Sequence, residues 1–504
     1  MGEFRAAAIF SDHMVLQRNK NIRIFGEGKD GSVVSVHFRG VTAYAKVKDG
    51  RWTAILPPME AGDGYEMKIS CEGREITFKD VSVGEVWLAG GQSNMEFELQ
   101  NCTGGMDAIR NDVNPGVRFY YTKKMAYMDE QFFKEERNSS WEVFGSEGTK
   151  AWSAVGYFFG KRLARELGVT VGIIGCNWGG TSASAWMSRE SLEEDRDLRT
   201  YVDEYDRNIE GKTLDEQLKE YNDYLANQAD WEKRVAACYK ENPKISWEEV
   251  LKICGPILYP GPINSFSPFR PAGLYHCMLK RVMPYTLAGF IYYQGESDDH
   301  KPQFYQKLLT RLIRHWREDW EDDELPFLFV QLPMHRYESD PDYKHWCLIR
   351  EAQMRTFQTV KNTGIAVILD CGEFNEIHPK DKAPVGERLA LQALYHVYGR
   401  LDEKDAFGPI YKGFVYRDGG IELHFKYADG GFKVKGELSG FEIAGDDKQY
   451  KPANALIKGN TIFVKSDEVA EPVCARYCWT NYGDVTVFGT NGIPLAPFRT
   501  HCDV

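Results

Sequence analysis

The chain has no run of 18 consecutive apolar residues, so no segment is expected to cross a membrane as a helix. It has no dense run of lysine and arginine, and 74 acidic against 62 basic side chains leave a net charge of −12. Such a balance offers no global field to attract nucleic acid or an anionic membrane, and neither is expected as a partner. The first residues, "MGEFRAAAIFSDHMVLQ", lack the basic start and long apolar core of a secretory signal. A cytoplasmic location is expected, with a secreted protein whose signal has been removed as the alternative. The eleven cysteines are scattered, and Cys474 and Cys478 form the only close pair. An odd, dispersed set points to reduced buried thiols rather than a disulfide framework or a zinc site. No internal repeat or low-complexity tract is present.

What the chain does have is length, aromatic side chains and strand-forming runs. At 504 residues it exceeds one ordinary domain. Residues 1–84 carry short alternating runs such as "NIRIFGEG", "SVVSVHF" and "RWTAIL", divided by Gly, Asp and Pro. That spacing predicts a small β-sandwich or jelly-roll-like domain. Residues 85–405 change style. "EVWLAG", "TVGIIGC", "LAGFIYY", "PFLFVQL" and "IAVILDC" are apolar at nearly every position, as strands covered on both faces must be. Helical patterns alternate with them: "WSAVGYFFGKRLARELG" places Val155, Phe159, Leu163 and Leu167 at four-residue intervals and closes on Gly168. The expected fold class is α/β, a three-layer unit with a largely parallel sheet. Within it, residues 188–258 are charged and helix-favouring and read as an insertion. Residues 406–504 return to a β style and predict a second β domain.

The chemistry concentrates where strands end. In "VWLAGGQSNMEFEL" an apolar strand runs into two glycines and then Gln92-Ser93-Asn94. The C-terminal edge of an α/β sheet is where ligands bind, and backbone N–H groups are free there. A serine at that edge is a candidate nucleophile if a base lies within reach, and an N-cap otherwise. Two further strand ends share this character. "TVGIIGCNWGGTSASAW" ends on Asn177-Trp178-Gly179-Gly180-Thr181, with Trp178 offering a flat face for a sugar. "FIYYQGESD" ends on Gln294-Gly295-Glu296, where the Gln294 amide is a candidate oxyanion donor. Of the histidines, His378 follows the last strand in a loop at the same edge, and Pro379 holds its backbone extended. His378 is the favoured base and His300 the second candidate. Glu376 ranks first as the acid that orients the imidazole, ahead of Asp370 and Glu373, with a backbone carbonyl as the alternative.

Taken together, these segments resemble the sialate O-acetylesterase family, carbohydrate esterases of the SGNH-hydrolase type, over nearly the whole chain. "GEVWLAGGQSNMEFEL" resembles the family's nucleophile block. "GVTVGIIGCNWGGTSASAWM" and "AGLYHCMLKRVMPYTLAGFIYYQGESD" resemble its second and third blocks. "EIHPKDKAPVGERLA" resembles its histidine block, while "SDHMVLQ" and "GIPLAPFRT" resemble its two ends. The resemblance implies Ser93 as nucleophile, His378 as general base, and the Gly180 N–H and Gln294 side chain as oxyanion donors. It implies an SGNH-like catalytic domain and no metal or cofactor. SGNH enzymes more widely often place an aspartate three residues before the histidine. Here Asn375 stands there and Glu376 follows it, which leaves open a Ser-His dyad steadied by a carbonyl.

The expected activity is removal of O-acetyl groups from a sugar, either sialic acid or a plant oligosaccharide, through a serine acyl-enzyme. A sialic acid substrate calls for an arginine to meet its carboxylate, and Arg270 and Arg350 are the candidates. Three other functions compete: a non-catalytic carbohydrate-binding protein, a lipase-like esterase for longer acyl chains, and a glycosidase using Glu296 with Glu376.

Overall fold

Four strands buried along their whole length form the centre of the molecule: Val171–Asn177, Gly289–Tyr293, Phe327–Gln331 and Thr363–Val367. They are four of the five continuous apolar runs of the sequence. The fifth run is the second half of a single long strand, Arg74–Gly91, buried from Val81 onward. The computed structural model describes residues 4–500. Across the central sheet the order is Trp141–Val143, Val117–Tyr121, Val171–Asn177, Arg74–Gly91, Gly289–Tyr293, Phe327–Gln331, Thr363–Val367. Neighbours are parallel except at one edge, where Trp141–Val143 runs antiparallel to Val117–Tyr121. The sheet is therefore mixed, and the fold is α/β.

Helices cover both faces, and the long strand shows why. Trp87 packs its ring edge-on to Phe159 of the helix Ala154–Leu167, with centroids 5.2 Å apart. Gly90 lies an odd number of residues away and so faces the other side. A Cβ at Gly90 would sit 2.7 Å from Trp316 of the helix Tyr305–Trp320. The helices Ala154–Leu167 and Ala383–His396 pack together on one face, and Tyr305–Trp320 and His345–Thr359 pack together elsewhere on the sheet.

The 18-residue strand Arg74–Gly91 also joins two sheets. Its first half pairs antiparallel with Gly62–Cys71 and its middle pairs parallel with Val15–Gln17. The sequence reads two strands here, "REITFKDVSVG" and "EVWLAG", and the structure makes one of them. The half-exposed alternation of the first becomes the full burial of the second without a turn. The rest of the amino-terminal region is antiparallel β, with Val33–Phe38 between Val41–Lys46 and Gly62–Cys71, and a separate sheet of Arg5–Ala6, Ile22–Glu27 and Arg51–Leu56. The expected strand "IAVILDC" stops at Val367, and Leu369–Cys371 is a 3₁₀ turn.

Residues 188–258 hold four helices: Arg189–Glu193, Arg199–Ile209, Leu214–Glu241 and Trp247–Cys254. Thr213 with Glu216 and Ser246 with Glu249 form capping boxes that start the last two. The 28-residue helix buries only Gln217. Beyond residue 409 two four-stranded antiparallel sheets form. They are tied to the α/β unit through Asn481, whose main-chain oxygen accepts from His335 N–H at 2.8 Å and whose side chain donates to Asp340 at 2.8 Å. The ten described cysteines are all free. Among the described residues no helix is long and apolar enough to cross a membrane.

Candidate active site

Three of the strand ends singled out in the sequence meet side by side. Asn177 and Tyr293 both stand opposite Gly91 in the register of their neighbouring strands. Gly91 adopts φ +133°, and a Cβ there would fall 2.1 Å from the Tyr293 carbonyl oxygen. Only glycine lets the chain turn out of the sheet at this point. The next residue, Gln92, donates its N–H to the same Tyr293 carbonyl at 3.1 Å, and Trp178 N–H donates to Gly91 O at 3.2 Å. Ser93 then opens a short helix, Ser93–Glu96, directly beside the Gly179 turn: a Cβ on Gly179 would lie 3.2 Å from Ser93 Cβ. Glu96 holds that turn in place by accepting the Gly179 N–H at 2.7 Å, and it is itself paired with Lys124. The N–H groups of Ser93 and Gly180 have no partner among the described residues.

His378 comes to this edge from a loop, and its Nε2 lies 2.9 Å from Ser93 Oγ. Burial lowers the His378 pKa below the ordinary histidine value, Glu376 opposes that shift and Lys382 adds to it. A neutral imidazole with its proton on Nδ1 presents Nε2 as the acceptor of the serine proton. Glu376 Oε1 accepts the main-chain N–H of His378 at 2.8 Å and stands 3.7 Å from Nδ1. The second distance is ion-pair range and too long for a hydrogen bond. Glu376 therefore holds the backbone of His378 more closely than its ring. The other acids near the loop are engaged elsewhere. Asp370 forms a two-pronged pair with Arg388 at 2.6 and 2.9 Å, and Glu373 accepts Lys380 N–H at 2.8 Å. His300 is exposed and bonded to Ser297 O at 3.0 Å.

Beneath the Ser93–His378 pair lies a buried polar group that the strand-end pattern does not predict. Asn94 donates to Glu296 Oε1 at 2.6 Å and to Ile377 O at 3.0 Å, and accepts from Lys382 Nζ at 2.5 Å. Burial raises the Glu296 pKa and pulls that of Lys382 down to about 8. This placement removes Glu296 from any role opposite Glu376 as a glycosidase acid. Asp298, fully buried, accepts from Gln294, Ser182, Tyr201 and the Ala183 N–H. The signals were adjacent to quoted motifs: Asn94 follows Ser93, and Asp298 closes "QGESD".

Two of the expected roles do not fit where the residues sit. Gln294, expected as an oxyanion donor, is 1% exposed and has both amide protons engaged. One goes to Asp298 at 2.6 Å and the other to Thr181 O at 3.3 Å, while its oxygen accepts from Tyr305 at 2.9 Å. It ties the Gly179–Gly180 turn to the strand end next door. Arg350, expected to meet a substrate carboxylate, is 1% exposed and donates to Pro333 O and Thr480 O. Its charge is spent holding the carboxy-terminal β region. Arg270 donates to Ala126 O at 3.2 Å with its side chain folded over Gly273. Trp178 remains partly exposed on the Gly179 turn. Tyr259, at the end of the insertion, reaches over Gly180: a Cβ on Gly180 would fall 1.9 Å from its hydroxyl oxygen. Among the described residues no group of three His, Cys, Asp or Glu side chains could hold a metal ion.

A family model described as "Carbohydrate esterase, sialic acid-specific acetylesterase" matches residues 262–394, the stretch that carries Gln294 and His378. Sialate O-acetylesterase of Mus musculus is 26% identical, over 98% of this chain and 94% of its own length. The Homo sapiens protein of the same name is 27% identical, over 79% of this chain and 71% of its own. The crystal structure of a carbohydrate acetylesterase from Xanthomonas citri superposes with a TM-score of 0.78 at 28% identity, covering 99% of both chains. The similarity to these relatives, with a serine and a histidine joined at the carboxyl edge of this chain's α/β sheet, marks the protein as an esterase. By these matches the chain is similar to sialate O-acetylesterases along nearly its whole length.

Proposed function

We propose that the protein removes O-acetyl groups from sugars by a serine acyl-enzyme route. The contact that carries the mechanism is His378 Nε2 at 2.9 Å from Ser93 Oγ. His378, held neutral by burial, takes the hydroxyl proton as Ser93 attacks the acetyl carbonyl. The tetrahedral oxyanion is met by the N–H groups of Ser93 and Gly180, which stand unpaired on adjacent turns. His378 returns the proton to the departing sugar oxygen, then activates water to release acetate. No residue in this sequence of steps needs a metal or cofactor.

The finer reading of the fold follows the same lines. The unit at 85–405 is SGNH-hydrolase-like, and residues 1–84 and 406–504 are flanking sandwich-like domains. The substrate is a small acetylated sugar or an oligosaccharide, with Trp178 as a platform for a sugar ring. With Arg350 internal and Arg270 bonded to Ala126 O, the sialic acid carboxylate loses its two expected partners. A neutral acetylated oligosaccharide fits this arrangement better than a substrate read by its carboxylate.

Acetate release from a panel of acetylated sialic acids, xylo-oligosaccharides and manno-oligosaccharides tests the substrate class. Faster release from the neutral sugars is expected, and a preference for sialic acids of tenfold or more overturns that choice. On 4-nitrophenyl acetate, Ser93→Ala should lose at least about 10³-fold in kcat. A variant that kept its rate would end the nucleophile assignment.

A further inference from the structure

We propose that Asn94 is the positioning residue for His378, holding one pole of the Ile377–His378 peptide while Glu376 holds the other, with Glu296 and Lys382 locking the Asn94 amide in a single orientation. The proposal rests on Ser93 and His378 being the reacting pair. The C=O of Ile377 and the N–H of His378 belong to one planar peptide group. Asn94 Nδ2 donates to that C=O at 3.0 Å, and Glu376 Oε1 accepts that N–H at 2.8 Å. A peptide plane fixed at both ends sets the direction in which the His378 side chain leaves the backbone.

The orientation of Asn94 is over-determined. Its second amide proton goes to Glu296 Oε1 at 2.6 Å, and its oxygen accepts from Lys382 Nζ at 2.5 Å. Turning the amide over would set its NH₂ against an ammonium and its oxygen against a carboxylate and a carbonyl. Asn94 is 1% exposed, Lys382 0% and Glu296 5%, so water cannot replace any of these partners cheaply. The Lys382 ammonium lies over the rings of Phe97 and Tyr293, 4.9 and 5.5 Å from their centroids. Asn94 also follows Ser93 directly in the chain. One covalent step from the nucleophile and one hydrogen bond from the base's own peptide, it keys the two reacting groups to each other. This is the task an acid performs in a Ser-His-acid triad, moved from the ring nitrogen to the main chain.

The test uses the full-length enzyme on 4-nitrophenyl acetate, with rates divided by the number of serines titrated with a phosphonate. Asn94→Ala should lower kcat per titrated site by about 10²-fold, the scale of a misplaced reacting group, with KM changed less than about twofold. A purely structural role would reduce the number of titratable sites and leave the rate per site alone. A kcat per site within threefold of the parent overturns the proposal. Lys382→Met supplies a second reading if Asn94→Ala does not fold. The charged groups facing His378 are Glu376, Glu96 and Lys382, with His335 close by. Removing Lys382 takes away the one cation that depresses the His378 pKa, so the acid limb of kcat/KM should move to higher pH while kcat per site falls. An unmoved limb with unchanged kcat also overturns the proposal. Ser93→Ala is run beside them: if it keeps its rate, the Ser93–His378 reading itself fails, and the result is distinct from failure at Asn94 alone.

Discussion

The nucleophile and the base reach one another from differently built supports. Ser93 stands at the end of a strand whose neighbours on both sides end in the same register, so its place is fixed by the backbone ladder and by glycines that admit no side chain. His378 stands in an irregular segment between Val367 and Ala383, and single side chains hold it: Asn94 on Ile377 O, Glu376 on His378 N–H, Arg388 on Asp370. A sheet distributes positional control over many equivalent bonds. A loop concentrates it in a few. Substitutions on the serine side should therefore act through space-filling and folding, and those on the histidine side through individual polar contacts.

Four outcomes break or sharpen that contrast. His378→Ala should cost at least about 10³-fold in kcat/KM, as removal of a triad member does, with little change in stability. A loss below tenfold would mean that another base serves. On the other side, Gly91→Ala should destabilise by about 3 kcal/mol or more in urea unfolding, because it combines a forbidden φ with a backbone clash. A stability near that of the parent would show that the sheet end is softer than its geometry. Gln294→Ala separates two roles. An oxyanion donor predicts about 10²–10³-fold in kcat and intact stability. The buried tie observed here predicts about 1–3 kcal/mol of lost stability, because Asp298 and Thr181 O each lose a buried donor, and a smaller loss in rate. Glu376→Gln, whose amide oxygen still accepts the His378 N–H, should leave kcat within about tenfold, the smallest effect of the set. A larger loss would restore the carboxylate charge to a direct role at the ring.

The pH dependence follows from burial. Because the His378 pKa is lowered, the neutral base survives to lower pH than an ordinary histidine at about 6.5 allows. The acid limb of kcat/KM should therefore lie below 6.5 (an approximate reference value), with activity lost as pH falls through the folded-state pKa. Stability moves in the same direction. Between the folded and unfolded pKa values the unfolded chain binds the proton and the folded one does not, so stability falls with falling pH across that window. His396, pushed down to about 4 by burial, adds to the same trend.

The sheet and its reactive edge were legible in the sequence because burial on both faces leaves a direct mark: unbroken apolar runs, each ending on small and polar residues. The nearness of Ser93 to His378 followed from two strand ends sharing one edge. What could not be read were the partners. Asn94 meets Glu296, Ile377 and Lys382 across 202 to 288 positions of the chain, and no local periodicity reports a contact that distant. Gln294 looked free because its strand end was polar, yet its protons were committed to Asp298 and Thr181. Arg350 sits in "LIREAQ" on a helix face that the pattern leaves ambiguous, and only the carboxy-terminal β region shows why it points inward.

The arrangement of strands around Ser93 also sets a timetable. Its strand pairs with Val171–Asn177 and Gly289–Tyr293, so the nucleophile's surroundings are incomplete until residue 293 has been made. At roughly 5–20 residues per second that is a wait of about 10–40 seconds after Ser93 leaves the ribosome, and longer for Lys382. Throughout that interval the buried second half of the strand Arg74–Gly91 lies open on the side that Gly289–Tyr293 will cover, and until residue 177 is made it lies open on the Val171–Asn177 side as well. The late delivery that keeps an unfinished esterase inert also makes this strand the one on which a nascent chain most needs shielding.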